Sequence, residues 1–72
     1  MTDKQILRNI EDFAKDIIKS NLRMGLKINN ELWIELFIEN IENEFRGVLQ
    51  TRLDLQLEAA EIISGLLIPH LK

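Results

Sequence analysis

Residues 49–58 read LQTRLDLQLE, and how this stretch folds decides the architecture of the whole chain. Leu49, Thr51, Leu53, Leu55 and Leu57 alternate strictly with Gln50, Arg52, Asp54, Gln56 and Glu58. Period two is the pattern of a strand with one buried face. The residue types oppose it, because Leu, Gln, Glu, Asp and Arg are poor strand formers, and aromatic, Val and Ile residues are missing. A lone strand would also need a second chain to pair with, since nothing else in the sequence alternates. Extended forward, Asp54, Glu58, Glu61 and Gly65 line up as a polar stripe. Leu53, Leu57, Ala60, Ile63 and Leu67 lie on one flank of it, and Leu55, Ala59, Ile62 and Leu66 on the other. Thr51 with Asp54 adds a capping-box signal. We therefore read a third helix over about 51–65, closed by Gly65 and Pro69, and keep a strand over 49–58 as the lesser alternative.

Upstream, Asn29 or Asn30 is placed to cap a second helix over about 31–46. In its first half Leu32, Trp33, Ile34, Leu36, Phe37 and Ile38 cover about two-thirds of the circumference, and Glu31, Glu35, Glu39 and Glu42 take the rest. The stripe Ile34, Ile38, Ile41 and Phe45 runs the full length and reads as the intramolecular core. Leu32, Trp33, Leu36 and Phe37 then form a separate patch confined to the first two turns. A helix that is apolar on two sides is either central in its fold or part of an interface. One glycine costs a helix only about 1 kcal/mol against alanine, so the second and third helices can also be read as continuous through Gly47.

The first helix, about 3–23, is simpler. Thr2 or Asp3 supplies the N-cap, and Ile6, Leu7, Ile10, Phe13, Ala14, Ile17 and Ile18 share one arc of roughly 140°. Lys4, Arg8, Lys15, Lys19 and Arg23 line the back, interleaved with Glu11, Asp12 and Asp16 at i+3 and i+4 distances. Gly25 is a natural residue to end the helix, with Leu26 beyond it able to fold back.

Composition bounds what such a chain can do. Seventy-two residues make one small domain, with about 4,600 Å² exposed when folded and only about 60 % of the open chain's surface buried. Chains this short often need a disulfide, a metal or a second subunit. There is no cysteine, which removes disulfides and thiolate metal sites. Thirty-three residues are apolar, more than three one-sided helices enclose, so the surplus must be buried elsewhere. The net charge of −3 is segregated, with a basic excess in residues 1–30 and an acidic excess in 31–47. An acidic chain has no bulk attraction for nucleic acid or anionic lipid. No apolar run approaches the roughly 20 residues of a membrane span, and Met-Thr-Asp-Lys-Gln lacks the apolar stretch of a signal peptide. A cytoplasmic location is the expectation.

The inventory for chemistry is thin. His70 is the single histidine, near the end, and Ser64 with His70 and a carboxylate has no strained nucleophile turn or oxyanion hole in its sequence context. The ladder Glu31, Glu35, Glu39, Glu42 lacks the Glu-x-x-His pairs of a bundle di-metal centre and reads as a solvated face or a steering surface for a protein. No glycine-rich phosphate loop is present. A helix-turn-helix reading fails on sign, because the helix that would enter the major groove exposes five glutamates and no basic residue before Arg46.

The sequence thus predicts an all-α, three-helix antiparallel bundle completed by homodimerisation, with no catalytic residues, cofactor or metal. The expected role is a small non-catalytic protein-interaction protein, an adaptor, inhibitor or assembly factor. It would bury Leu32, Trp33, Leu36 and Phe37, with Glu31, Glu35 and Glu39 steering the choice of partner. The alternative is a nucleic-acid-associated regulator that uses the basic face Lys15, Lys19, Arg23 and Lys27.

Overall fold

The computed structural model describes residues 2–71, and they are all-α, with no strand among them. Helix α1 runs Asp3–Arg23, α2 Glu31–Glu44, the single turn α3 Arg46–Leu49 and α4 Leu53–Leu67, followed by a 3-10 turn Ile68–His70 that carries Pro69. The alternating stretch 49–58 is neither a strand nor one helix. It begins at the end of α3, turns over Gln50–Arg52 and enters α4. The burial pattern is that of a helix: Leu55, Ala59, Ile63 and Leu67 are buried, while Leu53 and Leu57, which a strand would set on the same face as Leu55, are exposed. The cap expected at Thr51 does not form; Arg52 holds the N-cap position and its side chain makes no capping bond to the helix amides. Gln56 Nε2 donates instead to the Leu49 carbonyl, tying α4 back to α3.

Local chemistry sets the other boundaries. Thr2 Oγ1 accepts from the Gln5 amide at 3.2 Å to start α1. Its end is a Schellman turn: Gly25 adopts φ +80°, the Gly25 amide donates to the Leu22 carbonyl and the Leu26 amide to the Asn21 carbonyl. Asn30 Oδ1 accepts from the Leu32 amide at 2.8 Å and caps α2. Continuity through Gly47 is not observed. The chain departs from helix at Phe45 (φ −110°, ψ 22°), two residues earlier, and Gly47 lies within α3. The cause is tertiary. Phe45 meets Phe13 of α1 edge-to-face at 5.6 Å, and the bend brings Leu49 into the core.

At about 1.5 Å per residue α1 spans roughly 31 Å, nearly the whole 35 Å length of the molecule. Both α4 and α2 pack on it, whereas α2 and α4 meet only through α3. The core is built from Ile10, Ala14 and Ile18 of α1, Phe37 and Ile41 of α2, Leu49, and the buried side of α4; Ile28, in the loop before α2, completes it. Arg52 bridges the starts of α1 and α4, with Nη2 at 2.7 Å from Asp3 and 2.8 Å from Asp54.

Candidate functional site

The apolar patch expected at the start of α2 is divided by the fold. Phe37 is 1 % exposed, inside the core of its own chain. Trp33 is half-buried, stacked on Phe37 at 4.9 Å, with its indole N–H donating to Asn21 Oδ1 at 3.1 Å on α1. Asn21 in turn donates to the Ile17 carbonyl, so the tryptophan's polar end is held by a side chain that is itself fixed. Leu32 and Leu36 remain outside, 63 % and 52 % exposed.

The stripe read as core is rotated correspondingly. Trp33, Phe37 and Ile41, at i, i+4 and i+8, are the side chains directed at α1, which leaves Ile41 buried but Ile34 and Phe45 half-buried and Ile38 exposed. Ile34 and Ile38 point instead into a groove of about 930 Å³ between α2 and α4, closed at one end by α3. The opposite wall is Leu57, Ala60, Ile63 and Leu67 of α4. Leu53 and Leu57, 67 % and 62 % exposed, carry this apolar surface out onto α4's open side.

The groove is lined mainly by apolar side chains, with Glu42, Asn43, Arg46, Gln50, Gln56 and Ser64 contributing its polar groups. Among the described residues no three His, Asp or Glu side chains cluster as a metal site, and no hydrogen bond joins Ser64, which opens on the groove, to His70 in the 3-10 turn. No helix of the described chain is long and apolar enough to cross a membrane.

Charge is arranged around this surface rather than within it. Glu31, Glu35 and Glu39 are exposed along α2, and among the described residues none of the three lies within 4 Å of a cation. The basic back of α1 is not brought against them within one chain. Lys15, Lys19 and Arg23 are exposed on α1, whereas Lys27, expected on the same face, is exposed in the loop beyond the Gly25 turn; Lys15 is joined to Glu11 at 3.1 Å on its own helix. Around Arg52 the guanidinium is held more firmly protonated by its hydrogen bonds to Asp54 and Asp3, and the same contact holds the Asp54 carboxyl below its ordinary value.

In comparisons with known proteins, no family model, no curated protein and no solved structure matches the chain.

The groove escaped the sequence reading because it belongs to the space between two helices, and no single helix encodes it. One signal was present. The helical flank Leu53, Leu57, Ala60, Ile63 and Leu67 is legible in the sequence, and the last four of these line the groove.

Proposed function

We propose that this chain is a non-catalytic protein-interaction protein, an adaptor, inhibitor or assembly factor, whose three long helices form an antiparallel bundle completed by homodimerisation. One observation supports this reading above the others. The chain exposes 5330 Å². That is about 700 Å² more than a compact monomer of its mass, close to the roughly 800 Å² that each partner gives up in a standard interface. The exposed large hydrophobics include Ile38 and Leu57 on the groove walls, Leu53 beside them, and Leu32 and Leu36 at the start of α2. Burying such surface is favourable by about 25 cal/mol per Å² before the costs of association are subtracted.

The Leu32 and Leu36 ridge, flanked by Glu31, Glu35 and Glu39, is a second surface that the dimer leaves for another protein, with the carboxylates favouring a basic partner. Sedimentation equilibrium or light scattering on the purified chain tests the proposal. The expected mass is twice 8.4 kDa at micromolar concentration. A compact particle of 8.4 kDa at that concentration would overturn it.

A further inference from the structure

Helices α2 and α4 each pack on α1 but not on each other. The groove between them is the space a further helix would take, and Ile34, Ile38, Leu57, Ala60 and Ser64 open on it. Most of its polar groups gather at one end: Glu42 and Asn43 in the last turn of α2, Arg46 in α3, Gln50 just after it, and Gln56, which is tied to Leu49. Along the rest only the Ser64 hydroxyl offers a side-chain hydrogen bond. An extended segment laid there would set its amides and carbonyls against apolar walls without partners. A helix satisfies those groups within itself, so the walls select a helix with one apolar side.

Charge then selects the kind of helix. α2 carries five glutamates, α4 carries Asp54, Glu58 and Glu61, and neither helix has a cation. At about 100° per residue, Glu35 and Glu42 stand within roughly 60° of Ile38, on the side turned away from Phe37 and Ile41. On α4, Glu61 stands roughly 40° from Leu57, on the side turned away from Ala59 and Ile63. Both rims of the groove are therefore acidic. Glu35, Glu42 and Glu61 are exposed, and among the described residues none of them lies within 4 Å of a cation. Arg46, at the α3 end, donates to Asn43 at 2.6 Å.

We propose that the groove between α2 and α4 is the docking site for a basic amphipathic helix of a partner protein. The inference rests on the protein-interaction reading and adds the groove to the Leu32 and Leu36 ridge as a place for such a partner. The incoming helix sets an apolar seam against Ile34, Ile38, Leu57 and Ala60. Lysines or arginines on its flanks reach Glu35 and Glu42 on one rim and Glu61 on the other. The α4 wall runs from Gln56 to Leu67, roughly 17 Å, so about three turns of helix fill it.

Ala60→Trp fills the groove from an exposed position without changing charge, and Glu42→Gln with Glu61→Gln removes a carboxylate from each rim. Circular dichroism checks that each variant folds. The probe is a fluorescein-labelled peptide of about fourteen residues, with leucines at spacings of three and four and lysines on both flanks; a second peptide scrambles the same residues. Fluorescence anisotropy in about 50 mM salt should show saturable binding of the patterned peptide, and binding about tenfold weaker or worse for the scrambled one. Ala60→Trp should weaken the patterned peptide about tenfold or more. The double glutamine variant should weaken it about threefold, a difference that closes as salt is raised. Equal affinity for the two peptides would mean that charge alone attracts them and would overturn the proposal. Binding untouched by Ala60→Trp but lost in Leu36→Gln would move the helix to the ridge and overturn the groove. Light scattering on the same samples separates this inference from the reading beneath it. A dimer that binds neither peptide removes the groove and leaves that reading standing; a compact particle of 8.4 kDa that binds neither removes both. If Ala60→Trp abolishes the dimer along with peptide binding, the groove belongs to a second copy and the assignment to a partner is overturned.

Discussion

Helices α1 and α4 are both amphipathic by sequence, yet the fold uses them differently. In α1 the apolar arc is consumed by its own chain: Ile10, Ala14 and Ile18 are buried, Ile6, Leu7, Phe13 and Ile17 pack beside them, and charged residues fill the back. In α4 the buried line Leu55, Ala59, Ile63, Leu67 is accompanied by exposed Leu53 and Leu57 on a different side. α2 behaves like α4, with Phe37 inside and Leu36, the preceding residue, outside. A one-sided helix states its burial completely. A helix apolar on two sides states only that a second surface must exist, and the fold decides which side stays within the chain.

The neighbours Phe37 and Leu36 give the widest separation. Phe37→Ala should cost about 3–5 kcal/mol, because a fully enclosed ring stacked on Trp33 leaves a cavity that rigid helices cannot close. Loss on that scale is most of the stability available to a domain this small. Leu36→Ala should lower monomer stability by only about 1 kcal/mol, since about half of that side chain stays in water on folding. Urea denaturation of the two variants at equal protein concentration measures both. Similar midpoints would mean that α2 does not present Phe37 to α1.

A smaller break comes at the hydrogen bond that orients Trp33. Asn21 accepts from the indole N–H and donates to the Ile17 carbonyl, both in partly buried surroundings. Asn21→Ala leaves the indole donor without its partner and should cost about 1–2 kcal/mol. The tryptophan emission should shift to the red as water reaches the ring, a change that a loss confined to α1 propensity would not produce.

The parts of this architecture that were readable in the sequence share one property: their signal is local. α1, its Thr2 cap, its Gly25 turn and the Asn30 cap of α2 each depend on residues within one or two turns of each other. The break at Phe45 depends on Phe13, far away in sequence, and at Gly47 the sequence alone allowed the helix to continue. Ile28 is an apolar residue in a short loop with no helical period to mark it, so its place in the core was invisible. On α2, six apolar residues among the seven from 32 to 38 left no preferred side. Only the docking of α2 on α1 separates Trp33 and Phe37 from Leu32 and Leu36. The exposed pair of the expected patch was therefore legible as residues, and its division from the buried pair was not.

Glycine sharpens the same contrast between an end that is fixed and a helix that is exposed. Gly65 lies inside α4 with open space where a Cβ would stand, so Gly65→Ala should stabilise the chain by about 0.5–1 kcal/mol through the entropy of the unfolded state. Gly25 also has open space but holds φ +80° at the Schellman turn, so Gly25→Ala should destabilise by about 1 kcal/mol. Thermal midpoints moving in opposite directions are the expected result, and a shared direction would mean that the turn at Gly25 is not the constraint on α1.

The weakest link joins the one-sided helix to the two-sided one. Arg52 holds the first turns of α4 and α1 together through Asp54 and Asp3, on the surface, where water and salt screen the attraction. Its pH dependence has a definite sign. The hydrogen bond from Arg52 lowers the folded-state value of Asp54 below its unfolded one. The unfolded chain therefore takes up the proton first as acid is added, and the contribution is present above the ordinary carboxylate range near pH 4 and lost as pH falls through the folded value. Arg52 stays charged throughout, so acid breaks the contact only from the carboxylate side. Arg52→Gln should lower the thermal midpoint slightly at pH 7 and narrow the difference from the parent as the pH approaches 2. Added salt at neutral pH should narrow it in the same way, because both treatments remove one attraction; a difference independent of pH and salt would mean that Arg52 acts through the packing of its stem and not through its charge.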